Sequence, residues 1–522
     1  MIDLNHILLF IAFASPLILL ARTRQRSESN RGWRLASLAV LVVTVVFFLL
    51  SPGNAGFIGG GAWLFLLFIP AIGLRKGAEL AMRRKFGAAR RLISLLRVIH
   101  PASGLTQESE LLRALELAQK GQVEPALACL APIARNDSGI GRQAIAQGFA
   151  IRGDWNGLLA WHEGTLQRDL VLLPLYLRAL GETGAYDDLV LQFAARSRTL
   201  LSAPQYRSVF RLSLLTAFAF CGRTAAVIRL LERGLREFSI DVKNFWIGTS
   251  ELAAGDLDAG ISRLEKLRNT TTDAIIRTAA TRRLEHRASP AVLSPSSELI
   301  LRRFEHEKLH EPSIFLTEKT RATPVVVTLV ILNVAMFALE YALGGTSDPL
   351  VLHRLGELEP ASVVYFGEYW RLVTALFLHF GWMHIFFNLY ALYVLGPSLE
   401  RSMGGLRFAT CYLISGIGSN ASVVILRAFG WIAADQLVGA SGSIMGIVGA
   451  WAGLLLRHRH APLAGRRLQN ILLIVVMQTA FDFFTPQVSM AAHLSGLITG
   501  LVVGFALAPR VGPALSPKKT VR

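Results

Sequence analysis

A chain of 522 residues that is 52% hydrophobic and only 17% charged departs from soluble proteins, which are about 25% charged, and its length leaves room for more than one domain. A formal net charge of +18 would suggest nucleic acid in a soluble protein. Here much of the excess lies in short loops between apolar runs, where Lys and Arg set membrane orientation, so composition argues for an integral membrane protein and against a nucleic-acid partner.

The N-terminus, "MIDLNHILLF", lacks the basic n-region of a signal peptide and reads as a retained span. Three apolar segments are predicted near 5–21, 35–52 and 57–74, each close to the length that crosses a bilayer. A mixed stretch follows, with a boundary set at 75–322. Six more apolar segments come next, near 324–344, 378–397, 406–427, 439–456, 469–484 and 490–508. The domains are therefore read as 1–74 (three N-terminal transmembrane helices), 75–322 (a cytoplasmic helical domain and linker), 323–509 (a six-helix membrane core) and 510–522 (a basic cytoplasmic tail).

Loop charges predict the topology. Arg22, Arg24, Arg26, Arg31 and Arg34 follow the first span, whereas Pro52 to Gly60 carries no charge. Arg75, Lys76, Arg83, Arg84, Lys85, Arg90 and Arg91 follow the third. The N-terminus is thus expected outside and the middle domain in the cytoplasm. The loop after 344 is net acidic, with Asp348, Glu357, Glu359 and Glu368 against Arg354 and Arg371, and reads as outside. Arg401, Arg407, Arg457, Arg459, Arg466, Arg467 and the tail with Arg510, Lys518 and Lys519 read as inside, while "TPQVSM" is uncharged and reads as outside. Arg427 is the one discordant charge. Nine spans result, with a cytoplasmic C-terminus, and the alanine- and arginine-rich composition suggests a bacterial inner membrane.

In the middle domain glycines recur at 121, 153, 184, 222 and 255, followed two residues later by Val123, Trp155, Tyr186, Thr224 and Leu257. Amphipathic helical stretches flank them. The spacing resembles tetratricopeptide repeats, helix pairs of about 34 residues that stack into an α-solenoid, although the expected proline is mostly absent. Such a domain, within about 100–290, would take a cytoplasmic protein partner. Cys129, Cys221 and Cys411 are far apart and share no metal spacing, so neither a disulfide framework nor a zinc site is read.

The chemistry is predicted at the outer ends of three spans. "LVGASGSIMG" puts Ser441 in the first turn of its span, "MAAHLSGLITG" puts His493 about one turn into the last, and "HIFFN" puts His384 and Asn388 four apart on one helix face. All three spans run from outside to inside, so these side chains share a depth. A lone membrane serine is packing filler by default, and Ser443 keeps that reading. Gly442, Gly446, Gly449 and Gly453 in one helix, and Gly496, Gly500 and Gly504 in the other, are small faces that let helices touch closely. His493 is then a candidate general base for a Ser441 nucleophile. Asn388, His384 and the Ser441 backbone N–H are candidate oxyanion donors. A His384–Asn388 metal pair is the competing reading, but no third ligand of suitable type is spaced nearby. Asp482, Gln478, Asn333, Asn420 and Glu340 read as interhelical or interfacial hydrogen-bonding groups, any one of which could tune the site. Glu400 and Arg401 mark an inner helix end.

"GASG" (Gly439 to Gly442), "HIFFN", "AAHLSGLITG" (Ala491 to Gly500) and "YWR" (Tyr369 to Arg371), in this order, resemble the rhomboid family of intramembrane serine proteases over about residues 324–508. The resemblance implies a Ser441–His493 dyad with no third acid and an oxyanion hole from His384, Asn388 and the Ser441 backbone; no cofactor or metal is read from the sequence. It implies that Trp370 and Arg371 belong to a structural loop in the outer leaflet, which His379 helps to hold. Many relatives carry an aromatic residue four positions after the serine, on which the histidine stacks. Here Met445 stands there, and a thioether can also contact an imidazole face. The expected fold is all-α, and the expected activity is cleavage of transmembrane segments of other proteins near the outer interface. The alternative is a catalytically inactive membrane scaffold that recruits partners through the helical domain; inactive relatives lack the serine or the histidine, and this chain has both. A transporter is a third reading, against which no broken-helix pairing in two halves is apparent.

Overall fold

The computed structural model describes residues 4–23, 28–100, 104–162, 169–202, 204–285, 291–306, 322–433, 436–460, 464–485 and 489–509. The loop residues Arg24 and Arg26, the linker at 307–321, the centre of the "TPQVSM" connection and the basic tail from Arg510 onward lie outside the described residues. Among the described residues the regular structure is helical, and Leu358 and Leu437 form an isolated antiparallel bridge. The chain divides into two compact units, 7–309 and 310–522, the latter together with the first six residues.

The unit of residues 7–309 takes in α1 (Leu4–Arg22) from Ile7 onward and α2 (Glu28–Leu50). A continuous rod follows: α3 (Ala55–Trp63), one π-helical stretch (Leu64–Phe68) and α4 (Ile69–Met82). All three are long and apolar enough to cross a membrane. The rod outlasts the expected span end at residue 74 because apolarity stops there while helix-forming residues continue, with Lys76 pairing Glu79 at 2.9 Å. Pro70 lacks an N–H and crowds the preceding turn; the wide π stretch just before it absorbs the mismatch. Polar groups in these helices bond internally, as an apolar solvent demands: Thr44 Oγ1 donates to the Val40 carbonyl at 2.7 Å and Trp63 Nε1 donates to Ser15 Oγ at 2.9 Å.

After α5 (Phe86–Ile99), the helices come as hairpins: α6 (Gly104–Gln119) with α7 (Val123–Ala134), α8 (Gly139–Arg152) with α9 (Trp155–His162), α10 (Leu173–Glu182) with α11 (Tyr186–Ser202), α12 (Arg207–Phe220) with α13 (Thr224–Arg233), and α14 (Ile240–Ala253) with α15 (Leu257–Thr270). Two single helices, α16 (Ala274–Glu285) and α17 (Pro295–His306), complete the unit. Gly121, Gly153, Gly184, Gly222 and Gly255 all have φ between 71° and 87°. Each stops a helix in the left-handed conformation that only glycine adopts without strain, and the partner helix starts two residues later. Leu177, Phe193, Leu214, Phe218 and Val227 are fully buried in the core of the central hairpins.

The second unit is built on α18 (Pro324–Ala342), α22 (Gly381–Met403), α23 (Gly405–Ala428), α24 (Ser441–Arg457), α25 (Ala464–Phe484) and α26 (Met490–Leu507). Three short helices, α19 (Pro349–Leu355), α20 (Pro360–Phe366) and α21 (Arg371–Thr374), shape the loop between α18 and α22. Helices α18, α23, α25 and α26 have the length and apolarity of membrane spans; α24 is apolar but one residue under that length at 17, and α22 carries His384, Asn388, Glu400 and Arg401. Helix α24 lies at the centre. Every residue from Gly442 to Leu455 except Trp451 is buried. Both Glu400 carboxylate oxygens accept from the first-turn N–H groups of α18, Val325 at 3.0 Å and Val326 at 2.8 Å, which ties α22 to α18 and satisfies donors that the helix leaves unpaired.

Candidate functional site

Ser441 is the first residue of α24, and His384 and His493 are each the fourth residue of their helices. Their approach follows from backbone contacts. A Cβ on Gly496 would collide with the Gly442 carbonyl oxygen, and one on Gly500 with that of Gly446. The first turns of α24 and α26 therefore touch main chain to main chain. Ser419 of α23 clamps the same spot by donating to the Ala492 carbonyl at 2.7 Å. Ser441, the residue before Gly442, and His493, the residue after Ala492, therefore flank these contacts, one on each helix.

The segment ahead of Ser441 is fixed by the loop between α18 and α22. Leu358 and Leu437 exchange two backbone hydrogen bonds at 2.9 Å, and Gly439 N–H donates to the Ala375 carbonyl at 2.9 Å. Gly439 takes φ +128°, and a Cβ there would sit 2.7 Å from His384 Cε1, 2.8 Å from His384 Nε2 and 3.8 Å from Asn388 Nδ2. Only a glycine lets these two side chains lie against the peptide leading into the serine. Phe380 N–H donates to His384 Nδ1 at 3.4 Å, which assigns the ring proton to Nε2, the nitrogen nearer Gly439. The Asn388 amide donates to the His384 carbonyl at 3.1 Å.

His379 is fully buried; its N–H donates to Glu340 Oε1 at 2.9 Å and its ring lies 5.3 Å from that of His384. Arg371 is also buried. Its Nη1 donates to the His353 and Glu357 carbonyls, each at 3.0 Å, its Nε pairs with Glu368, and its guanidinium lies 4.8 Å from the Trp370 ring. Met445 is buried on α24, one turn beyond Ser441. Asn420 reaches the same loop, donating to the Leu372 carbonyl at 3.0 Å.

One neighbour of the histidine departs from the sequence expectation of a pair without a third acid. His493 Nδ1 lies 2.8 Å from Asp482 Oδ2, and Gln478 donates to Asp482 Oδ1 at 2.8 Å. The hydrogen bonds of the imidazole thus run to α25 rather than to the Ser441 hydroxyl, with Gln478 Nε2 a further 3.5 Å neighbour of Nδ1. The available signal was that a carboxylate inside a span is costly and needs a partner. Eleven residues of separation, from the end of one helix to the first turn of the next, did not say which.

Residues 366–510 match the Rhomboid domain family. The chain is 35% identical to "Rhomboid protease GluP" of Bacillus subtilis (strain 168) over 217 residues, 41% of this chain and 40% of that protein. It is 36% identical to "RHOMBOID-like protein 6, mitochondrial" of Arabidopsis thaliana over 159 residues, 30% of this chain and 49% of the relative. It is 32% identical to YdcA of Bacillus subtilis over 139 residues, 27% of this chain and 67% of the relative. The chain spans two fifths to one half of the length of the first two. With YdcA matched at 32% identity over two thirds of its length and the family domain matched at residues 366–510, the chain belongs to the rhomboid family.

Proposed function

We propose that the protein is an intramembrane serine endopeptidase that cleaves transmembrane segments of other membrane proteins near the outer interface. Ser441 is the nucleophile, and His493 the general base that takes the Oγ proton as Oγ attacks the scissile carbonyl. The resulting oxyanion is met by His384 Nε2–H, the Asn388 amide and the Ser441 backbone N–H. Donors of this kind are worth about 3–4 kcal/mol each when aimed at developing charge. The proton on His493 then passes to the leaving amine, and water repeats the sequence on the acyl-enzyme. A helical substrate hides its carbonyls in hydrogen bonds, so it must unwind first, which favours helix-weakening residues at the cut.

The observation that carries this reading is the packing of His384 and Asn388 against the peptide that leads into Ser441, at the end where α24 touches α26. The hairpins of the first unit are read as a solenoid-like cytoplasmic domain for a protein partner, with the N-terminus outside and the C-terminus in the cytoplasm of a bacterial inner membrane.

The test is cleavage of a fluorescent transmembrane-segment substrate by the full chain in lipid vesicles, for wild type and Ser441→Ala. Cleavage by wild type alone, together with fluorophosphonate labelling that His493→Ala abolishes, is the expected outcome. Equal turnover by both proteins would sink the assignment and leave the inactive scaffold as the better reading.

A further inference from the structure

We infer that Asp482 is a positioning residue for the general base: its carboxylate holds the His493 ring with the proton on Nδ1, leaving the Nε2 lone pair for the Ser441 hydroxyl. The inference rests on the protease reading and deepens it: Ser441 and His493 remain the reacting pair, and Asp482 orients the second of them.

Three observations carry it. The first is the 2.8 Å contact between His493 Nδ1 and Asp482 Oδ2, with both side chains buried, at 7% and 2% exposure. The second is that the carboxylate is itself oriented, because Gln478 donates to its other oxygen at 2.8 Å from one turn earlier on α25. The third is that α25 is otherwise a poorly buried helix, with only Ala464 and Asp482 buried. The residue that α25 turns inward is therefore a carboxylate, against a histidine, in apolar surroundings where an unpartnered acid would be expelled. An imidazole with one nitrogen donating to a carboxylate has its other nitrogen free as the acceptor, the arrangement a general base needs. The hydrogen bond from α25 supplies the orientation of the ring.

The test uses the full chain in lipid vesicles. In Asp482→Asn, kcat on the transmembrane substrate is expected to fall about a hundredfold or more, with KM unchanged, since an amide fails to enforce the tautomer. Loss of packing alone would lower the amount of active protein without selecting kcat over KM, so titration of labelled serine fixes the active fraction. A second measurement needs no variant beyond an assignment control. Histidine ¹⁵N spectra of wild type should contain an Nδ1–H tautomer resonance, hydrogen-bonded and absent from His493→Ala. A kcat in Asp482→Asn within twofold of wild type, or a wild-type His493 protonated at Nε2, overturns the inference. Ser441→Ala, run alongside, separates the two levels: retained cleavage there defeats the protease reading itself, whereas its loss with an unaffected Asp482→Asn defeats only the role of the carboxylate.

Discussion

Arg371 holds the loop ahead of α22 by a set of contacts that no apolar residue could make. Its guanidinium is buried, donates to two carbonyls of the loop, pairs with Glu368 and lies over Trp370. Hydrogen bonds to a charged group are worth about 1.5–3 kcal/mol each, and a buried carbonyl left alone costs a comparable amount. Arg371→Ala is therefore expected to destabilise the protein by about 3 kcal/mol or more. Arg371→Lys keeps the charge but loses the fork, and should fall between. Denaturant or thermal unfolding of the solubilised protein measures both; an alanine variant within about 0.5 kcal/mol of wild type, the scatter of ordinary surface changes, would remove Arg371 as the loop's anchor. The motif "YWR" was legible in the sequence, but its partners were not. The carbonyls of His353 and Glu357 carry no sequence signature, because any residue offers one. Asp482 was hidden for a related reason: its type announced a need for a partner, yet facing across two helices is set by packing rather than by spacing.

At the scale of elements, the seam between α24 and α26 was the most readable feature. Glycines at offsets of three and four along α24 and of four along α26 predicted close contact, and the two backbones do meet at Gly442 with Gly496 and Gly446 with Gly500. The obstacle to a Cβ at Gly500 is the Gly446 main chain, which cannot swing aside as a side chain does. Gly500→Ala must separate the helices, and overpacking of this kind costs about 1–3 kcal/mol. The same displacement moves His493 relative to Ser441, where a shift of about 1 Å can cost about a hundredfold in rate. Gly465→Ala, on α25 with nothing within 4 Å of the new methyl group, is the control and should be neutral or slightly stabilising. Wild-type activity in Gly500→Ala would mean that the seam is looser than the backbone contact implies. Less readable was the rod from Ala55 to Met82, whose second half is charged. Hydropathy locates where a helix can sit in lipid; it does not say where the helix ends, which hydrogen bonds and the next breaker decide.

At the scale of the molecule, the chain has two compact units with separate buried cores, and every residue assigned to the site lies between Trp370 and Gly500. The contacts that arrange that site are internal to residues 324–509: the Glu400 cap on α18, the Arg371 loop, the bridge from Leu358 to Leu437, and the glycine seam. A unit with its own core and its own hydrogen-bond closure is expected to fold without its neighbour. A chain consisting of residues 310–522 should then take a fluorophosphonate at Ser441 in lipid vesicles at a rate within about threefold of the full protein, a difference of about 0.6 kcal/mol in barrier height. The first unit would in that case act on which proteins reach the site, not on the chemistry. The comparison is made at equal amounts of helical, monodisperse protein, so that poor insertion is not mistaken for poor chemistry. If the shortened chain is well folded by that measure and yet its Ser441 goes unlabelled, the helices before residue 310 are part of the catalytic body, and the hairpins with their five left-handed glycines hold the site in shape rather than serve it from a distance.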